Sequence, residues 1–356
     1  MDDIYNLVPL DDGVSTNIRV IEILDDDTED SRGPICCKFH RISLDDSPDY
    51  TALSYTWGSL DNTRTIELNG KPFTVRENLW EFLDEARRRG QVRPHRFWID
   101  AICINQSRIS KRNHQVSIMG AIYSHAAHVL VWLGAKTPAT ALRMWNSSLL
   151  SSSLDPENRR VYYGDPQFQA QETALRELCE RSYWSRLWIL QEFVLAREIG
   201  IWCGNETASY DSLHHLLMEF HSLRYTPAAK ILYSRRVRGY SSHRMSVEEL
   251  LDEFRDMECM DVRDRVYALL SLLDPKERKL MDIEPDYSIS PSGLFEKVFT
   301  GLCGEFMEPV YEEDLLTLRK ALGLNEEDDV VQRVLRSEKA NPGARYYSGI
   351  VNGQRF

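Results

Sequence analysis

Apolar positions recur with two periods along this chain, and each switch between them marks a boundary between elements. "PICCKFHRISL" (34–44) and "YTALSYTWG" (50–58) carry short apolar runs that predict strands, the second running into a glycine turn. "TIELNGKPFTV" (65–75) alternates on both sides of Asn69-Gly70, two residues that tolerate positive φ, and predicts a hairpin. "ENLWEFLDEARRRG" (77–90) changes to helical spacing, with Leu79, Phe82, Leu83 and Ala86 on one face. Its three arginines complement the helix dipole in the last turn, and Gly90 stops it.

The alternation of periods continues. "RFWIDAICINQ" (96–106) predicts a strand ending in polar residues. Ser110 then reads as the cap of a helix over 111–127, with Val116, Met119, Tyr123 and Ala126 or Ala127 on one face. "HVLVWLG" (128–134) has the form of a buried parallel strand closed by glycine. From about 135 to 170 the text turns serine-rich and irregular, as expected of a surface insertion. "WSRLWILQE" (184–192) opens a helix in which Trp184, Leu187, Trp188 and Leu195 share a sector at 100° per residue, with Gln191 inside that sector and Glu192 at its margin. "EIGIWCGN" (198–205) predicts a last strand, and from about 207 the chain reads as mainly helical, including "RDRVYALLSLL", "SGLFEKVFTGLCGEF" and an amphipathic helix near 330–335.

Strands alternating with helices predict an α/β fold with a mainly parallel sheet flanked by helices, an added N-terminal β segment and a mainly helical C-terminal region. The domain reading is 1–205, with its core at 50–200 and an insertion at about 135–170, followed by 206–356. With 42% hydrophobic residues in 356, the chain has material for a substantial core. A formal charge of -12 repels phosphate backbones and anionic lipid surfaces, so nucleic acid is not an expected partner. No apolar run is long enough to span a membrane, the acidic start lacks the parts of a secretory signal, and a cytoplasmic location is expected. The seven cysteines are scattered and never spaced C-x-x-C, which predicts reduced thiols rather than a disulfide framework.

Ligands of open α/β sheets bind beyond the carboxyl ends of the strands. Those ends offer Tyr55, Trp57 and Gly58, then Asp100 to Gln106, then Gly134. Asp100, Asn105 and Gln106 can hydrogen-bond a ribose or an amide, and Trp57 can stack on a flat ring. Equally, Asn105 and Gln106 can simply turn the chain into the next helix. Gln191, inside the apolar sector, needs a partner if buried. Glu192 can be a solvated flank residue paired with Arg186 or Arg197, or a functional acid. Cys103 is disfavoured as a nucleophile because burial raises a thiol's pKa. His125 and His128 have metal-pair spacing but no third ligand nearby, so no metal site is expected.

The blocks "YTALSYTWG", "NLWEFL", "FWIDAICINQ", "HQVSIMGAIYSHAAHVLVWLG" and "YWSRLWILQEFVLA", in this order over roughly 50–200, resemble the HET (heterokaryon incompatibility) domain of filamentous fungi. A weaker likeness extends to 261–290. The resemblance implies a fungal intracellular protein acting in non-self recognition and programmed cell death. Ser107, Arg108 and Lys111 depart from the acidic residues usual in the family after the C-I-N-Q block, which puts a contact at that loop in question.

HET domains in turn resemble TIR domains, which implies a flavodoxin-like sheet. Trp188 to Glu192 corresponds to the W-x-x-x-E helix whose glutamate cleaves NAD+ in catalytic TIR domains. That likeness nominates Glu192 as the catalytic residue, with Tyr55, Trp57, Gly58, Asp100, Asn105, Gln106, Gly134 and Trp188 around the nucleotide. NAD+ would be substrate, with no cofactor. The resemblance also implies self-association on activation, or an incompatibility or NLR-type signalling partner. Its alternatives are a non-catalytic signalling module and an inactive paralogue, since many members carry a longer C-terminal region.

Overall fold

A computed structural model describes residues 2–10, 16–24, 33–90, 96–136, 166–240, 245–302 and 312–340. Most of the expected insertion, at 137–165, and the tail from 341 lie outside the described residues. The chain divides into two compact units, Met1–Tyr240 and Ser241–Phe356. The compositional break at 205/206 falls inside the first.

The first unit is built on one nine-stranded sheet. Its strands are β1 (Asn17–Ile23), β2 (Cys36–Ser43), β3 (Thr51–Tyr55), β4 (Thr63–Leu68), β5 (Lys71–Arg76), β6 (Arg96–Trp98), β7 (His128–Trp132), β8 (Ile199–Cys203) and β9 (Glu206–Ser209), in the spatial order β5-β4-β2-β1-β6-β3-β7-β8-β9. At the centre β6, β3, β7 and β8 run parallel, while β1 joins β6 antiparallel and the β4–β5 and β8–β9 pairs are antiparallel. Numbered by their order in the chain, the four parallel strands lie 2-1-3-4, the order of doubly wound flavodoxin-like sheets, whose switch point falls between the first and third. Here that point lies between β3 and β7. The α/β class is as expected, and β1 and β9 have no counterpart in the sequence reading.

Alternation along the strands gives the central sheet two different faces. Phe97, registered with Thr51, and Trp132, registered with Tyr55, both meet Phe82 of α1 (Glu77–Arg89), at ring distances of 5.5 and 5.9 Å. That face therefore holds Thr51, Leu53 and Tyr55. Trp98, registered with Ala52, meets Tyr123 edge-on at 5.4 Å on the other face, which also holds Ser54. All five residues of β3 are buried, as a central strand covered on both sides requires.

The hairpin and α1 form as read. Asn69 and Gly70 have φ of 51° and 75°, and Gly90 closes α1 in the left-handed region. Beyond them, α2 (Ile109–Ser117) and α3 (Met119–His125) replace the single helix over 111–127, interrupted at Ile118 with ψ 6°. The N-cap of α2 is Arg108 rather than Ser110, and its side chain makes no capping bond. After α4 (Pro166–Cys179) comes the largest departure. Instead of a continuous helix from 184 there is a 3-10 turn at Ser182–Ser185, an extended Arg186 (φ -70, ψ 128) and a π-helical turn at Leu190–Val194. A π turn closes i to i+5, so a wheel drawn at 100° per residue misplaces everything on it. α5 (Tyr210–Glu219) and α6 (Pro227–Tyr240) complete the unit.

The second unit is helical: α7 (Val247–Glu253), α8 (Pro275–Met281), α9 (Pro291–Leu302), α10 (Glu312–Ala321) and α11 (Asp329–Ala340). Ser246 and Glu249 form a reciprocal capping box on α7. α8 and α9 each begin at proline, whose fixed φ suits a first turn. Leu294, Phe295 and Val298 of α9, Leu315 and Leu318 of α10, and Val331 and Val334 of α11 are buried. "RDRVYALLSLL" is not one helix but a turn at Asp264–Tyr267 followed by a 3-10 turn at Leu270–Leu272. A Cβ on Gly301 would stand 2.8 Å from the Met281 Cα, so this helical glycine is set by close approach of α8.

Candidate functional site

Ser54 is a hydroxyl in the middle of a fully buried strand, and such a group needs hydrogen-bond partners. It finds two. Ser54 Oγ donates to Glu192 Oε2 at 2.5 Å and lies 2.7 Å from the Tyr183 hydroxyl. Glu192 is 2% exposed, far from the solvated flank position its place on a regular helix implies. Arg186 supplies the countercharge, with Nη2 at 3.3 Å from Oε1 and Nη1 at 3.4 Å from Oε2, so one of the two pairings considered for Glu192 is present. The break in the helix brings this about: after the extended Arg186 the chain re-enters helical turns in which the amides of Gln191 and Glu192 both bond the Trp188 carbonyl, and residue 192 meets β3 at Ser54. Gln191 is buried as expected.

Asp100 belongs to the same electrostatic neighbourhood. Its carboxylate accepts from the Trp57 indole Nε1 at 2.8 Å and from the Ala101 amide at 2.7 Å. Burial pushes its pKa up to about 6, the Glu192 charge adds to the push, and Arg186 and the two hydrogen bonds oppose it. For Arg186, burial works against the charge, but Glu192 and Asp100 together hold its pKa above the ordinary arginine value. Burial, with help from the Glu192 carboxylate, raises the phenol pKa of Tyr123 and of Tyr183, so both hydroxyls are neutral donors. With Asp100 ionised, two carboxylates and one guanidinium leave a net negative charge behind the tip of β3, an environment that favours a cation.

At the switch point itself the backbone turns outward. Trp57 is half-buried, with the Arg76 guanidinium 5.0 Å from its ring centroid, and Arg76 also bonds the Gly58 carbonyl at 2.8 Å. Gly58 (φ 80°) and Gly134 (φ 101°) take the left-handed conformations that glycine adopts without strain. Asn78 joins the two sides, donating to the Thr56 carbonyl and accepting from the Trp132 indole at 2.9 Å. Arg181 ties β7 to β8 through the Leu133 carbonyl and Cys203 Sγ.

Not every nominated residue comes to the site. Tyr55 points into the α1 face and is 2% exposed, a core residue rather than a contact. Asn105 accepts from the amide and hydroxyl of Ser107 at 3.1 and 2.6 Å, which is the turn-forming role. Gln106 is exposed and donates to the Asp100 carbonyl. Trp188 is half-buried, and its carbonyl accepts from the amides of Gln191 and Glu192. After the C-I-N-Q block, Lys111 holds the Leu10 carbonyl at 2.8 Å. Burial raises the Cys103 thiol to about 12, in line with the expectation that it is no nucleophile. Ser54, Tyr183, Asn78 and Arg181 were not singled out by sequence. Only Ser54 carried a signal, as a small hydroxyl between Leu53 and Tyr55 in a strand expected to be buried.

No helix of the described residues is long and apolar enough to cross a membrane, and among them no three metal-binding side chains converge. The model of the family described as Heterokaryon incompatibility protein (HET) matches residues 50–192. Heterokaryon incompatibility protein 6, OR allele, of Neurospora crassa is 28% identical over 367 aligned positions, covering 83% of this chain and 52% of that protein. The chain thus spans about half the length of this relative. No solved structure matches.

Proposed function

We propose that this chain, whose residues 50–192 match the HET (heterokaryon incompatibility) family model, acts as a fungal HET domain protein in non-self recognition and the cell death that follows, by cleaving NAD+ to nicotinamide and ADP-ribose. The observation that carries the chemical part is the buried Glu192 carboxylate behind the tip of β3, coupled to Asp100 at the flavodoxin-like switch point. Breaking the bond between nicotinamide and ribose moves positive charge from the ring to the sugar carbon. A fixed carboxylate near that carbon stabilises the transition state more than the ground state, and stabilises it further where water is excluded. Glu192 fills that role, Trp57 offers a face to a flat ring, and Gly58 and Gly134 add no side chain of their own at the mouth. Water then adds to the sugar carbon, and its proton goes to solvent. The same reading puts the protein in the cytoplasm, associating with copies of itself on activation or with an NLR-type signalling partner.

One observation favours a second reading. Both oxygens of Glu192 are already engaged, by Arg186 and Ser54. That is how a structural strut is held, and it fits a non-catalytic module signalling by association. Incubating purified protein with NAD+ and following nicotinamide release separates the two. Release by the wild type that falls by about 100-fold or more in Glu192→Gln supports the enzyme. No release leaves the module, and release undiminished in the variant removes the role given to Glu192.

A further inference from the structure

The segment that carries Glu192 is gripped from a second side. Arg235, on α6, donates Nη1 to the carbonyls of Phe193 (2.9 Å), Val194 (3.2 Å) and Ala196 (2.7 Å), and Nη2 to that of Arg197 (3.2 Å). Carbonyls at the end of a helical turn have no partner within it, and a guanidinium is the side chain whose fixed fork of donors can span several at once. The Tyr210 ring lies 5.1 Å from the guanidinium and 6.1 Å from the Phe193 ring, so the clamp is backed by an aromatic wall. All four acceptors follow Glu192 directly in the chain.

We infer that Arg235 is a positioning residue for Glu192, holding the π turn in the register that directs the carboxylate at β3; this rests on the reading of Glu192 as the catalytic acid. Arg235 touches no reacting atom. It acts only through the backbone of 193–197. The family match ends at Glu192 itself, whereas the clamp comes from α6. The working unit therefore extends beyond the matched region at least to Arg235.

The test uses the full chain as wild type, Arg235→Ala, Arg235→Lys and Glu192→Gln. In nicotinamide release, Arg235→Ala should lower kcat by about 10- to 100-fold with KM within about two-fold, because geometry rather than substrate affinity is lost. Arg235→Lys should fall between it and the wild type. Added ethylguanidinium should restore activity to Arg235→Ala and none to Glu192→Gln. An unchanged kcat in Arg235→Ala, or a loss confined to KM, overturns the inference; if the alanine variant does not fold, the lysine variant is judged by the same split. If the wild type releases no nicotinamide, the Glu192 reading has failed instead, and hydrogen exchange decides whether the clamp exists. Amides of 190–197 should then lose protection in Arg235→Ala while those of β3 and β7 keep it. Equal protection at 190–197 overturns the clamp.

Discussion

Glu192 and Asp100 feel the same guanidinium, yet they sit in opposite circumstances. Glu192 is sealed, 2% exposed, and bonded through both oxygens to Ser54 and Arg186. Asp100 keeps part of its surface in water, makes no direct bond to Arg186 in the structure, and has a pKa lifted to about 6. A direct ion pair fixes a charge in place; burial near a like charge without one makes the charge conditional on pH. Glu192 is therefore held by direct contacts, whereas the charge of Asp100 changes with pH near 6.

The largest way to break this contrast is Glu192→Ala. It strands Arg186 without its bonded partner and should cost about 3 kcal/mol in urea unfolding, the low end for a broken buried pair because Arg186 is 20% exposed. A loss below about 1 kcal/mol would place the pair among surface bridges and erase the distinction. Next, Ser54→Ala removes a hydrogen bond to a buried charge and leaves the Tyr183 hydroxyl without it, an expected loss of about 1–2 kcal/mol by the same measurement. Asp100→Asn changes how stability depends on pH rather than removing a fixed amount. A carboxyl whose folded pKa is raised contributes stability that is full below its unfolded value of about 3.9 and is lost as pH rises through about 6. The wild type should therefore lose a stability increment across that window that the asparagine variant, which can still accept from Trp57, does not lose. Thermal melts at steps across the window read it, and parallel curves for the two proteins would show that Asp100 is not perturbed.

What the sequence made legible depended on how local the cause was. The Asn69-Gly70 turn and the Gly90 stop are decided by residues that tolerate positive φ, and both could be named in advance. Strands β3, β7 and β8 followed from periodicity, but β1 and β9 were not read, and the strand predicted over 96–106 stops at Trp98 and gives way to a helical turn at Asp100–Cys103. The inward turn of Glu192 could not be read, because a wheel presumes a regular helix and the chain breaks at Arg186 into an extended residue and a π turn. The grip of Arg235 was equally hidden, since its acceptors are backbone carbonyls, which every residue has and no side-chain pattern marks. Asn105 and Gln106 had two readings from sequence, and in the structure they make local bonds, to Ser107 and to the Asp100 carbonyl.

One feature of the sheet bears on how copies of the chain can meet. At one edge lies β5, whose second residue, Pro72, has no amide hydrogen to offer; at the other lies β9, four residues long and ending where Ser209 caps α5. Outer strands blunted in these ways are poor templates for a neighbour's backbone. Extension of the sheet by a further strand at either edge is thereby discouraged.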